Sequence, residues 1–267
     1  MIFLSIITPT YNRKELVIQT INSTIDFVKH TDCETEIIVV DDASTDFTYE
    51  YLKKIYNKEL TAGDIRLFRS EKNLGVTGAK NLGAKQAGGE WLLFMDSDDL
   101  LIPDVAEDLI NILHKYKDSP IIFFRCKGLE TGYLIGPHFR DPYELTLKEF
   151  LNKGTPGECL PVVKSSSFSQ FFYNTKLRGC EGLTYAQMIN EFGAARVETL
   201  IARKYRRDND DRLSSGKGLI RRSCCLAKYH ALILSNYYNK LYITTIIKTS
   251  LKAIFYLFMC IIFKVKH

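Results

Sequence analysis

Through its first 125 residues the chain alternates short, continuous apolar runs with amphipathic stretches. Phe3 to Thr8 is apolar and stops at Pro9, which predicts a strand. Val17, Ile21, Ile25 and Val28 then recur at helical spacing, with Asn12 placed to cap the helix. EIIVVDD, from Glu36 to Asp42, is a β-branched strand closing on two aspartates. Phe47 to Lys58 reads as helix, Ile65 to Arg69 as strand, and Gly75 to Ala87 as a helix with a permissive entry. Glu90 to Asp96 reads as strand, Asp104 to Tyr116 as a helix with Val105, Leu109, Ile112 and Leu113 inward, and Pro120 to Arg125 as strand. Uninterrupted apolar strands joined by crossover helices predict an α/β fold, a mostly parallel sheet covered on both faces. After residue 126 the pattern weakens. Residues 128–161 are loop-rich with a helix near Leu145 to Leu151, VVKSSSFSQFFYN suggests a strand and turn, and Leu183 to Phe192 a helix.

In such a sheet, ligands bind outside the carboxyl ends of the strands. Three predicted ends carry polar groups: TPTYNR (Thr8 to Arg13), Asp41-Asp42, and Asp96-Ser97-Asp98-Asp99. All three fall on one rim. Neighbouring carboxylates repel and resist desolvation, so the last cluster is either a solvated loop or a site for a hard divalent cation that bridges to phosphates. Tyr11 offers a face on which a base stacks, and Asp41 or Asp42 an acceptor for a ring N–H. The plainer roles are a turn residue for Tyr11 and helix caps for the aspartates. Gly75 and Gly78 permit close backbone approach, and Lys80 adds a cation. Neither GxGxxG nor GxxxxGK[ST] occurs there, which argues against a dehydrogenase and a P-loop NTPase.

Charge changes the picture at the other end. From Arg196 to His267 there are 15 Lys+Arg against 4 Asp+Glu, while the preceding residues carry 21 against 27. A basic end suits nucleic acid or an anionic membrane surface, and the aspartates argue against nucleic acid at the rim. Leu241 to Phe263 is apolar but interrupted by Lys248 and Lys252. It predicts an amphipathic helix lying in a membrane interface, flanked by Lys264 and Lys266, rather than a span, which needs about 20 apolar residues. A core-packed terminal helix is the alternative. The seven cysteines are scattered without a CxxC pair, as expected of reduced cytosolic thiols. MIFLSIITPTYN reads as a first strand and not as a signal peptide.

Taken in order and spacing, SIITPTYNR, VVDDASTD and NLGVTGAKNLGAKQAGGEWLLFMDSDD resemble glycosyltransferase family 2 over about residues 1–125. The resemblance implies a GT-A fold, a Rossmann-like sheet flanked by helices, acting on a nucleotide-activated sugar. It implies that Thr8, Tyr11 and Asp42 contact the nucleobase, with Arg13, Asp41, Gly75 and Lys80 in the same nucleotide-sugar site. Asp96 and Asp98 would form the DxD ribose and metal site for Mn²⁺ or Mg²⁺, with Asp99 adjoining. Position 80 is more often arginine in similar sequences, so Lys80 keeps the charge and loses the fork.

An inverting transfer needs a carboxylate to take the acceptor's proton. The family often supplies it from a Glu-Asp pair at a helix start. Here LRGCEGLTYAQM offers Glu181, with Gly182 where aspartate is usual. A helix-start acid favoured by the dipole is the alternative role. In RKYRRDNDDRLSS, Arg206, Arg207 and Arg212 are candidates to neutralise a leaving diphosphate. The expected organisation is a GT-A domain over residues 1–215, divided at 125 into nucleotide-sugar and acceptor halves, and a membrane-associating segment over 216–267. The expected reaction passes a sugar from a UDP-linked donor to a lipid-linked saccharide in bacterial surface polysaccharide assembly (O-antigen or capsule). Its expected location is the cytoplasmic face of the inner membrane. Competing readings are a sugar nucleotidyltransferase, which should carry a basic Gly-rich loop that TPTYNR is not, and a non-catalytic protein binding membrane or nucleic acid through the basic end.

Overall fold

Four apolar runs form the parallel half of one sheet. In the computed structural model, which describes residues 2–207 and 216–263, these are β1 (Leu4–Thr10), β2 (Thr35–Asp41), β3 (Ile65–Arg69) and β4 (Trp91–Phe94), in the order β3-β2-β1-β4. Thr10 pairs with Asp41, so β1 and β2 end level with one another. Beyond β4 the sheet becomes mixed. β8 (Cys159–Lys164) runs antiparallel between β4 and β6 (Ile121–Gly128). β9 (Ala195–Tyr205) pairs in parallel with β6, and the short β5 (Leu100–Leu101) and β7 (Tyr143–Leu145) run antiparallel to β9.

Side chains alternate across each strand, so the two sheet faces carry separate cores. One gathers Ile7, Ile38, Phe94 and Phe123 beneath α4 (Gly75–Gln86), α6 (Leu147–Lys153), α8 (Gly182–Phe192) and α10 (Ser223–Tyr237). The other gathers Leu4, Trp91, Leu93 and Phe124 beneath α1 (Lys14–Val28) and α5 (Ala106–Lys115). α4 lies very close to the sheet. A Cβ on Gly83 would stand 2.4 Å from Ile7 Cγ2, so only glycine lets this helix rest there.

The expected helix from Phe47 to Lys58 is broken into α2 (Thr48–Ile55) and α3 (Asn57–Ala62). Tyr56, between them, is buried and donates its hydroxyl to Asn22 Oδ1 at 2.8 Å, which turns the chain. β9 was not legible as a strand. It buries Glu198 and Arg203, and its register against β6 shifts twice, so no clean alternation survives. α7 (Ser165–Phe168) replaces the turn expected after β8.

The expected domain boundary at 215 lies outside the described residues. After it come α9 (Gly216–Arg221), α10, and α11 (Ile243–Ile262). α10 gives Ile233 and Tyr237 to the main core, so it is an integral layer, whereas α11 touches that core at its edge through the half-buried Ile246 and has Thr249 as its one buried residue. The expectation of seven reduced thiols is corrected: Cys224 of α10 is joined to Cys260 of α11, and five cysteines are free. Their Cα atoms are 5.0 Å apart, so the two helices touch there whatever the redox state.

Candidate active site

The polar strand ends do meet on one rim. Loops following β1 and β2 are tied together: Asn12 N donates to Ser44 Oγ at 2.9 Å, and Asn12 Oδ1 accepts from Thr45 N at 2.8 Å. Asn12, Ala43 and Phe47 are the non-glycine residues with positive φ (50°, 60° and 62°) among the described residues, and all three lie in these loops. Left-handed backbone is costly for such residues and gathers at functional sites.

Thr8 and Thr10 are buried at the end of β1, and their hydroxyls have no hydrogen-bond partner among the described residues. Asp41 Oδ1 is also unpartnered; its Oδ2 accepts from Ser44 N at 3.1 Å and lies 3.4 Å from Arg69 Nε. Burial raises the Asp41 carboxyl above its usual range, against the pull of Ser44 and Arg69. Asp42 Oδ1 accepts from Ser70 Oγ at 3.0 Å and from Leu74 N at 2.8 Å, which fixes the entry to α4. Tyr11 remains exposed beside them. Buried polar atoms without partners are uncommon, and here three converge on a rim with a free aromatic face.

The DxD segment follows β4. Lys80, buried in α4, places Nζ 2.9 Å from Asp96 Oδ1 and 3.5 Å from Glu181 Oε1. Burial alone would weaken the lysine's charge, but Asp96 and then Glu181 hold its pKa above the ordinary value. Burial likewise pushes Asp96 up, yet Lys80, Arg203 and Arg13 together bring it below the usual carboxylate range. Asp98 Oδ2 is 2.9 Å from Arg13 Nη1. Arg13 and Lys80, both expected in the nucleotide-sugar site, thus reach the DxD carboxylates.

Asp99 departs from the expectation of a shared metal ligand. It is 1% exposed and points into the protein: Oδ1 accepts from Arg206 N at 2.9 Å, and Oδ2 is 3.2 Å from Arg203 Nη1. Burial pushes its carboxyl up to about 7 against the opposing pull of Arg203. Arg206 braces the same loop, donating from Nε to Asp98 O at 3.1 Å and from Nη2 to Gln19 Oε1 at 2.9 Å. Arg207 N donates to Glu130 at 3.3 Å. Arg212 lies outside the described residues.

Glu181 is carried by a loop clamped to α4. Asn81 Nδ2 donates to Tyr173 O at 2.8 Å, and Tyr173 N donates to Asn81 Oδ1 at 3.0 Å. The Tyr173 and Tyr185 hydroxyls bond at 2.8 Å beneath it. The glycine at 182 also has a local reason. A Cβ there would stand 3.1 Å from the Tyr229 hydroxyl of α10, a tight approach that favours glycine. Gly75 adopts φ +74°, and a Cβ on it would lie 3.4 Å from the Arg178 side chain. Sequence reasoning missed Arg178, Asn81 and Arg203. Arg178 was signalled only by its nearness to Glu181 in the chain, and the other two by nothing but a polar residue in a helix and a basic residue in a basic stretch.

Asp96 and Asp98 suit a divalent cation. Both are hard oxygen donors on one loop, with side-chain exposures of 39% and 12%. Among the described residues no group of three His, Cys, Asp or Glu could hold an ion unaided. Such a pair fits an ion that takes its remaining ligands from water and donor phosphates, as Mg²⁺ commonly does.

Residues 5–172 match glycosyl transferase family 2. The chain belongs to that family. Among its relatives, Staphylococcus aureus TarS, a poly(ribitol-phosphate) beta-N-acetylglucosaminyltransferase, is 34% identical over 132 residues, 48% of this chain and 22% of TarS. The Campylobacter jejuni GalNAc(5)-diNAcBac-PP-undecaprenol beta-1,3-glucosyltransferase is 28% identical over 194 residues, 70% of this chain and 60% of that protein. The chain therefore spans less than two thirds of either relative. The crystal structure of TarS residues 1–349 in complex with UDP-GlcNAc superposes with a TM-score of 0.65 over 87% of this chain and 67% of that one, at 22% identity. The mannosyltransferase PcManGT from Pyrobaculum calidifontis, in complex with GDP-Man and Mn²⁺, gives 0.62 over 87% and 64%, at 17% identity. The chain therefore has the GT-A fold, and it carries a long helix, α11, near its C-terminal end.

Proposed function

We propose that this family 2 member is an inverting, metal-dependent glycosyltransferase that passes a sugar from a UDP-linked donor to a hydroxyl of a lipid-linked saccharide. The observation that carries the reading is the continuous line Asp96–Lys80–Glu181, which joins a donor-holding loop to a carboxylate on the acceptor side. Tyr11 stacks on the base, while the Thr8 hydroxyl and Asp42 meet its polar edge. Asp96 and Asp98 would hold Mn²⁺ or Mg²⁺, which when bound would offset charge on the leaving diphosphate. Glu181 accepts the proton of the acceptor hydroxyl. The acceptor oxygen bonds to the anomeric carbon from the face opposite the diphosphate. The C–O bond to phosphate breaks, UDP leaves with the electron pair, and the configuration inverts.

TarS with UDP-GlcNAc supports a uridine donor, and the Campylobacter relative, which acts on an undecaprenol-diphosphate-linked saccharide, supports a lipid-linked acceptor; a place in bacterial surface polysaccharide assembly fits such an acceptor. PcManGT supports the metal. The cytoplasmic face of the inner membrane, where nucleotide sugars and lipid-linked glycans meet, is the location that fits this reaction. Glu181→Gln should lower transfer by at least about a hundredfold while UDP binding stays unchanged. Near-wild-type turnover would sink the assignment of the base. Pyrophosphate release from a nucleoside triphosphate would favour a nucleotidyltransferase instead.

A further inference from the structure

α11 presents its apolar side outward. Ile243, Ile247, Leu251, Ile254, Phe258 and Ile261 recur at steps of three and four and are each between 54% and 67% exposed. A continuous apolar stripe of this length on a soluble surface marks a contact site. The opposite row is bound to the domain. Ile246 packs against the main core, Thr249 is buried, Tyr256 stacks on His230 of α10 with ring planes 4° apart, and Cys260 is joined to Cys224. Lys248 and Lys252 form a third row, one turn apart. The chain has no acidic residue after Asp211, against ten Lys and Arg. Tyr238 and Tyr242, 61% and 42% exposed, stand just before the helix, as aromatic residues do at a membrane interface.

We propose that α11 docks flat on an anionic lipid surface, with its stripe in the acyl boundary and its lysines at the headgroups. By length and composition this 20-residue helix is also able to span a membrane. Its inner row is fastened to the domain from Ile246 to Cys260, so spanning would require it to peel away from α10 over nearly its whole length. The flat geometry also has a consequence for the acceptor. Cys260 sits at Cys224; beside Cys224, Cys225 Sγ contacts Lys176 O, and Arg222 Nη1 donates to Gly179 O at 3.0 Å. That strand of contacts ends two residues before Glu181. Docking through α11 therefore brings the loop bearing the proposed base toward the lipid boundary, where a lipid-linked hydroxyl is presented. This last step rests on the proposed transfer.

The test uses the full chain and acceptor-free vesicles of phosphatidylcholine with or without phosphatidylglycerol, so docking and catalysis fail separately. The wild type should float with anionic vesicles. Leu251→Glu combined with Phe258→Glu should lower partitioning by about a hundredfold, with UDP binding retained as the sign of an intact fold. Lys248→Ala combined with Lys252→Ala should lower it by about 25-fold, roughly fivefold per lysine, on anionic vesicles alone. Unchanged flotation of the glutamate variant would overturn the proposal. So would a wild-type dimer that this variant splits while neither form binds vesicles, since a second copy would then be the occupant. Single tryptophans at Ile243, Leu251 and Ile261, read with brominated lipids against the constant signal of buried Trp91, report depth. Equal, shallow quenching is expected of a flat helix; deepest quenching at position 251 would mean a span and refute the geometry.

Discussion

Lys80→Met removes the cation that, among the described residues, bridges Asp96 and Glu181. At an effective dielectric near 20, the pair at 2.9 Å is worth about 6 kcal/mol and the pair at 3.5 Å about 5 kcal/mol before solvation is counted. Freeing a buried ammonium returns several kcal/mol of desolvation. Asp96 and Glu181, with side chains 39% and 21% exposed, also regain water. The net loss of stability should therefore be modest, about 1–3 kcal/mol, read as a lower urea midpoint at constant slope. Turnover should suffer more, by about a hundredfold, because Glu181 loses its tether and a misplacement of about 1 Å costs that much. Mn²⁺ should move the other way. With the competing charge gone, the free protein should bind Mn²⁺ about tenfold more tightly by calorimetric titration. Lys80→Arg, which keeps the charge, should stay near the wild type in stability. If Lys80→Met changes neither the urea midpoint nor the Mn²⁺ affinity, the lysine does not hold Asp96 and the reasoning fails.

Two further outcomes follow from buried charge. Arg203→Met strands Asp99, which is 1% exposed, and should cost about 3–5 kcal/mol in urea unfolding; adding Asp99→Leu should recover part of that loss. His230 of α10, which faces α11, is held down to about 4 by burial and then by Lys252. An unfolded chain therefore binds more protons between pH 4 and 6.5, so this residue's contribution is complete above 6.5 and is lost as pH falls toward 4; the full shift corresponds to about 3 kcal/mol, which solvent screening at this half-buried ring lowers to about 2 kcal/mol. His230→Gln should flatten the melting temperature against pH across that window.

The parallel half of the sheet was readable because its strands are continuous apolar runs and its helices keep a strict period. The rim was readable for the same reason: once β1, β2 and β4 are parallel neighbours, their carboxyl ends must lie together. What escaped the sequence depends on contacts distant in the chain. Asp99 looks like its neighbours Asp96 and Asp98 until Arg203, over a hundred residues later, turns it inward. Lys80 reads only as a cation of the nucleotide-sugar site until the fold brings Glu181 to its other side. β9 hides because its buried Glu198 and Arg203 break the apolar alternation; Glu198 pairs with Arg196 two residues away on the same strand, but Arg203 is tolerable only with Asp99 and Glu158, which lie far off in the chain. The outward stripe of α11 was legible as periodicity, but which side faces the domain was not.

The strained loops of the rim carry a last implication. Asn12, Ala43 and Phe47 hold left-handed backbone and the loops are laced across one another, so the site is shaped before any donor arrives. Folding has already met the entropy of ordering these segments, and binding need not meet it again. A glycine at position 43 would relieve the strain yet let the loop wander. At that position, one methyl group sets rigidity of the empty site against ease of folding.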